Sequence, residues 1–305
     1  MLARVILALA AALSTSTAAL AWDGARAYHL RPTGTSDLSL TTTLLHAKGT
    51  VDLGGGPEAS ELNVGVVSPA YRHSFDLFGN AGTFLIGMPI GDVSFSSTSG
   101  FIDADTGVTY GDMFVGGVWG LVGMPSLEVM DYVQHRPGFQ ASVAGRLFLP
   151  TGEYDSSRSA NLGQNRWSLE ASVPMTYVLA DTMLDPELTT VEIRPVLVIF
   201  GDNEDPFGGA SVSSKAPVFG VEGHITHTFS SSLWAAVDGY YEVGGENTMD
   251  GVAQGDEVEN LTLGATLGLV LSPSLAMRIT YRELVYSSAT DASGRSLEVA
   301  TAFLF

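Results

Sequence analysis

Between Asn260 and Leu271 every second residue is apolar. Leu261, Leu263, Ala265, Leu267, Leu269 and Leu271 alternate with Asn260, Thr262, Gly264, Thr266 and Gly268. A two-residue period belongs to a β-strand with one greasy and one polar face, not to a helix. The pattern recurs. Trp167, Leu169, Ala171, Val173, Met175 and Tyr177 alternate with Ser168, Glu170, Ser172 and Thr176. Phe139, Ala141, Val143, Leu147 and Leu149 oppose Gln140, Ser142 and Arg146, and Val191, Ile193, Leu197 and Ile199 oppose Glu192 and Arg194. The last stretch puts Leu297, Val299, Thr301, Phe303 and Phe305 on one face and stops on an aromatic. In water such an exposed strand would aggregate. It is stable where its greasy face meets lipid and its edge pairs with the first strand of a closed sheet.

Composition agrees. Mean hydropathy is +0.22 and only 15 % of residues are charged. Yet beyond the leader no segment reaches the roughly 18 uninterrupted apolar residues of a helical span. A soluble lipocalin-like barrel would need a polar outside, which the alternation contradicts. The chain starts Met1-Leu2-Ala3-Arg4, runs apolar from Val5 to Leu13 and reaches Ala19-Leu20-Ala21. This is the pattern of a secretory signal peptide over 1–21. Export leaves 13 basic against 33 acidic residues, a net charge of −20. Such a surface repels nucleic acid, so no nucleic-acid partner is expected. The absence of cysteine excludes a disulfide framework and thiol chemistry.

Residues 22–37, with Pro32, Thr33, Gly34 and Thr35, read as a periplasmic lead-in, and 38–305 as the barrel. Twelve strand-like segments lie near 38–48, 60–72, 83–96, 108–122, 138–150, 166–179, 189–201, 217–229, 232–244, 257–271, 274–287 and 295–305. Alternate connections (49–59, 97–107, 151–165, 202–216, 245–256 and 288–294) are polar and mostly long. The others include tight turns at Ser230-Ser231-Ser232 and Ser272-Pro273-Ser274. Long loops on one side and short turns on the other form the outer-membrane pattern, and an even strand count leaves both termini periplasmic. Connections 73–82 and 123–137 are longer than that pattern favours, and the second has room for a short helix. Alternation does not assign the faces of the first four strands. The expected fold class is therefore all-β, an antiparallel transmembrane β-barrel of about 12 strands in the Gram-negative outer membrane.

Outward aromatics sort by height. Phe139, Tyr177, Phe229, Phe303 and Phe305 fall at periplasmic ends, and Trp167 and Tyr241 at extracellular ends, as two interfacial girdles against outer-membrane lipid. The inward face carries Arg146, Glu170, Glu192, Arg194, Glu222, Asp238, Glu242, Arg278, Arg282 and Glu298. Opposite charges on neighbouring strands, such as Arg146 with Glu170 or Arg278 and Arg282 with Glu298, are expected partners. They form either a filling lattice or a polar pore that selects small-molecule solutes.

Catalysis and metal binding find little support. His224 is expected to point inward beside Glu222 and Thr226, and His227 outward, with no G-x-S-x-G present. Asp103-Ala104-Asp105-Thr106-Gly107 starts like a calcium loop but lacks the distal Glu. Asn260-Leu261-Thr262 matches a glycosylation sequon inside a strand. No catalytic residue, metal or cofactor is assigned.

One stretch goes beyond generic barrel pattern. Pro150, Thr151, Gly152, Tyr154 and Asp155 precede Asn161, Gly163, Asn165 and Trp167. A second stretch runs from Tyr241 through Gly244, Gly245 and Asn247 to Asp250 and Gly251. Together they resemble the "PTGxYD…NxGxNrW" and "Y…GGxTxxNG" segments of the outer-membrane family named for the MetA pathway of phenol degradation, with Asp250 where that family usually carries Asn. The resemblance implies a barrel for passive uptake of small hydrophobic or aromatic compounds. The terminal Phe305 likewise resembles the signal read by the barrel-assembly machinery. Other readings are a non-conducting structural or surface-interaction barrel and a lipid-modifying barrel enzyme. The motif itself reads as a hairpin lock: Pro150 and Gly152 turn the chain and Trp167 anchors its return.

Overall fold

The computed structural model describes residues 23–52, 57–98 and 103–305, so the leader over 1–21 lies outside the described residues. Twelve antiparallel strands close into a barrel. They are β1 (Ser36–Asp52), β2 (Pro57–Leu77), β3 in two parts (Asn80–Gly87 and Ile90–Ser97) and β4, whose main part is Phe114–Val122. β5 (Phe139–Phe148), β6 (Ser168–Ser172 and Met175–Leu179), β7 (Thr189–Phe200) and β8 (Val218–Ser230) follow. The last four are β9 (Leu233–Gly244), β10 (Val258–Ser272), β11 (Leu275–Ser287) and β12 (Ser293–Leu304). The seam pairs β1 with β12 in the register Leu38 to Phe303 and Leu44 to Leu297. Ser36 N–H donates to Phe305 O at 2.8 Å and Phe305 N–H donates back at 2.9 Å. The terminal aromatic thus completes the ring, which removes the exposed edge that a lone strand would offer.

Burial is inverted relative to a water-soluble protein. Outward Val237 is 69 % and Ile225 60 % exposed, whereas inward Thr190 and Thr226 are 0 % and Gln140 is 1 % exposed. Such a surface is stable only in lipid.

Two strands break at prolines, which cannot donate to a ladder. β3 is interrupted at Met88–Pro89 and β6 at Val173–Pro174. Around the β6 break, Val173 N–H still reaches Pro195 O at 3.2 Å, and Ser142 N–H reaches Pro174 O at 3.0 Å. The connection expected to be long at 73–82 is instead a two-residue turn. β2 continues to Leu77, which pairs with Asn80 across Phe78 and Gly79, both at positive φ (55° and 82°). Paired positive φ values match the twist of a hairpin. The 123–137 connection does hold a short helix, α1 (Val129–Gln134).

β2 also explains why the early faces resist assignment. Its alternation is inverted: Leu62, Val64 and Val66 point inward and are buried, while Asn63 is exposed. Beyond the barrel wall, Ser213–Lys215, Asn247–Met249 and Val252–Ala253 form a separate three-stranded sheet on the long-loop side.

Candidate functional site in the barrel lumen

The ten charges expected to face inward lie on the lumen side of the wall, and all but Glu242 join into a belt. Arg146 on β5 meets Glu170 on β6 at 3.3 Å, and Glu170 meets Arg194 on β7 at 2.8 Å. Arg194 Nε donates to Glu222 Oε2 on β8 at 2.7 Å. Glu222 Oε1 lies 2.9 Å from His224 Nε2, whose Nδ1 lies 2.6 Å from Asp238 on β9. Thr266 on β10 donates to Asp238 at 2.6 Å and lies 2.9 Å from the Thr280 hydroxyl on β11. Arg278 and Arg282 on β11 both meet Glu298 on β12, at 3.0 and 3.1 Å. Buried charges persist only where each finds such partners. Glu242 stands apart near the long-loop end, where it accepts from Asn260 at 2.8 Å.

The segment expected to hang below the barrel instead occupies this belt. Asp23 accepts from Arg146 at 2.6 Å and lies 3.2 Å from Arg194. Gly24 N–H donates to Glu222 at 2.7 Å and Arg26 N–H to Glu192 at 2.9 Å. Arg26 Nε donates to Thr226 at 3.0 Å, and its guanidinium lies 4.4 Å above the Trp234 ring. The indole lies over Gly268, where an added Cβ would come within 1.9 Å of it, so only glycine leaves room. His29 pairs with Glu192 at 2.9 Å, and Ala25 O accepts from Arg278 at 3.1 Å. The physical reason for this placement is complementarity: residues 24–29 donate to Glu192 and Glu222, and Asp23 answers Arg146 and Arg194. Further toward the short-turn end, Leu30 packs with Ala81 and Met124, and Asp37 joins Arg31 and Arg72. The plug and the Arg31–Asp37–Arg72 cluster escape sequence reasoning because they sit in an irregular segment and in strands without readable faces. The one available signal is the run Asp23, Arg26, Tyr28, His29, Arg31, dense in hydrogen-bonding groups for a linker.

At the long-loop end the lumen turns apolar. Leu62, Val64, Val66, Val93 and Phe95 form a buried cluster with Ala160 and Leu162 of the β5–β6 loop. Val196, Val198 and Val218 form a second. The motif stretch is thus folded inward as a lid. Asp112 clasps it, accepting from Gly152 N–H and Gln164 N–H, each at 2.9 Å. Burial pushes the Asp112 carboxyl up, against the pull of these amides and that of Thr151. A Cβ on Gly152 would lie 2.7 Å from Gly163 Cα, which accounts for both glycines. Asn161 caps Asp155 N–H at 2.9 Å, Tyr154 donates to Asp205 O at 3.1 Å and Asn165 donates to Asn203 at 2.7 Å. The second stretch brackets the outer sheet. Asp256 accepts from both nitrogens of Asn247, at 2.7 and 2.9 Å, and Lys215 lies 4.9 Å from the Phe200 ring. Burial, helped by Arg166, pulls the Lys215 amine down to about 7. Gly244, Gly245, Asp250 and Gly251 all take positive φ in the turns here.

The aromatics expected in the girdles lie on the outside: Phe139, Trp167, Tyr177, Phe229, Phe303 and Phe305 are exposed and Tyr241 is half-buried. His227 also points out and stacks edge-on against Phe229 at 4.9 Å. Among the described residues no cluster of His, Asp or Glu has the arrangement of a metal site.

Among solved structures, the chain is similar to the COG4313 outer membrane channel of Pseudomonas putida F1. That likeness has 18 % identity and a TM-score of 0.75, over 93 % of this chain and 100 % of that one. It is similar to the translocator domain of the autotransporter NalP from Neisseria meningitidis, with 11 % identity and a TM-score of 0.58 over 97 % and 96 %. A third likeness is to the transport unit of the autotransporter AIDA-I from Escherichia coli, with 11 % identity and a TM-score of 0.51 over 90 % and 92 %. At such identities the likeness carries the fold, that of an outer-membrane β-barrel. No curated protein matches the sequence. The family model described as "Putative MetA-pathway of phenol degradation" matches residues 41–290, spanning both motif stretches, and the chain belongs to that family.

Proposed function

We propose that this protein is a plugged outer-membrane channel through which small hydrophobic or aromatic molecules pass without energy input. The observation that carries the reading is the apolar outer half of the lumen, Leu62 to Phe95 on one side and Val196 to Val218 on the other, above the charged belt. A hydrophilic pore would line that mouth with water-binding groups. The family description and the naming of the Pseudomonas putida barrel as a channel support it. In this reading the short-turn end, where Ser36 meets Phe305, faces the periplasm, the belt charges set selectivity and the assembly machinery reads the C-terminal strand.

We read the chain as a channel rather than an enzyme. Both ring nitrogens of His224 face carboxylates, and Ser36 meets His73 at 2.9 Å with no carboxylate hydrogen-bonded to His73 among the described residues. The test is flux. Protein in liposomes should conduct weakly, and replacing residues 24–30 by a Gly-Ser stretch should raise ion conductance severalfold. If the plug-replaced protein passes neither ions nor small neutral aromatics, the lumen is not a passage and the structural-barrel reading takes its place.

A further inference from the structure

Between the plug, the lid and the wall made by β1, β2, β11 and β12 lies a cavity of about 330 Å³. Its charge is opposite to that of the molecule. The chain carries a net charge of −19. On this wall, however, arginines come two to a carboxylate. Arg31 and Arg72 share Asp37, and Arg278 and Arg282 share Glu298. Each trio keeps one positive charge that no carboxylate answers. On the other side, Glu192, Glu222 and Asp238 of β7 to β9 each face a basic partner, His29, Arg194 and His224, so the unanswered positive charge lies on the cavity side.

The side next to the positive wall is aromatic at its lid end. Phe114 and Phe148 have ring centroids 5.6 Å apart, and the Arg146 guanidinium lies 5.6 and 5.8 Å from them. Two unanswered charges and a pair of rings define what would complete the cavity: a flat apolar body with an anionic, hydrogen-bond-accepting head. A void of about 150 Å³ already holds benzene, so this one has room for a substituted ring.

We propose that the cavity binds aromatic carboxylates, with the ring against Phe114 and Phe148 and the carboxylate toward Arg72 and Arg278. The proposal rests on the passage reading above and adds a charge preference to it. The planar, two-pronged guanidinium matches a carboxylate better than any neutral head group.

Binding of benzoate, benzyl alcohol and benzylamine at neutral pH to the whole protein in lipid nanodiscs, followed by calorimetry, tests it. Benzoate should bind at least about tenfold more tightly than benzyl alcohol, because it adds charge-assisted hydrogen bonds to the same ring, and benzylamine should bind most weakly. Arg72→Gln and Arg278→Gln should each erode the benzoate preference, whereas Arg158→Gln, on the exposed lid loop, should leave it intact. Equal binding of the three probes, or a preference for the amine, overturns the proposal. The three-probe comparison uses the unmodified protein, so a variant that fails to fold does not affect it. If neutral aromatics cross liposomes while benzoate shows no preference, the charge selectivity falls alone. If nothing crosses even after plug replacement, the passage reading falls with it.

Discussion

Glu222 holds three donors at once: Gly24 N–H, Arg194 Nε and His224 Nε2, at 2.7, 2.7 and 2.9 Å. It ties the plug to the belt, and so its loss should be costly. Glu222→Ala should lower unfolding stability in lipid vesicles by about 3 kcal/mol, since it strips a buried arginine of a partner and leaves donors unfilled. Glu222→Gln, which keeps one acceptor, should cost less. Asp112 plays a similar role at the other end. In Asp112→Ala the Gly152 and Gln164 amides lose their acceptor, which should loosen the lid by about 1–3 kcal/mol. Faster trypsin cleavage after Arg158 is the readout. The ten lumen charges follow from strand parity, but Asp23, Asp37, Arg72 and Asp112 sit at positions without any period.

At the scale of elements, β5 to β12 are legible because their apolar faces meet lipid and their polar faces meet the lumen, which makes the period visible. β2 and the outer half of β3 invert that pattern where the lid residues Ala160 and Leu162 cover them from inside. No count of alternation can anticipate a cover that arrives from a loop about 65 to 100 residues away. The outer sheet offers a pH test. The folded Lys215 amine titrates near 7, below its ordinary 10.5. Between these values the unfolded chain binds more protons than the folded one, so stability rises with pH through that window and weakens toward and below 7. Amide exchange in 213–215 and 247–249, corrected for intrinsic rates, should slow as pH climbs from about 7 to 10, and Lys215→Met should flatten the trend. The seam offers a test of assembly. Removing Phe303–Phe305 deletes the last rungs to Leu38 and Ser36, and the yield of heat-modifiable barrel in outer membranes should fall sharply.

For the molecule as a whole, the dominant fact is the inverted surface. Val237 lies mid-strand, paired with Ile225 and Ala265 and 69 % exposed. Val237→Arg should cost about 2–4 kcal/mol in a bilayer, the range for a cation at the midplane of a barrel's lipid face. Its refolding midpoint in urea checks this. The same inversion explains why composition and period lead to a membrane barrel: greasy strands with no spanning helix have one stable closure in lipid.

The sequence by itself determined the twelve strands, their closure through the C-terminal residues and the identity of the charges that line β5 to β12. These follow from local rules, the two-residue period of a strand and the need to satisfy every backbone group in lipid. Only the tertiary structure decided what fills the barrel. The plug is irregular, and its contacts, such as Gly24 with Glu222, span 198 residues. The cavity, its paired arginines and the lid above it exist only once β1 and β12 meet and the loop at Asp112 folds inward. No local pattern encodes that geometry, because it is set by which distant donors and acceptors the closed barrel brings within reach.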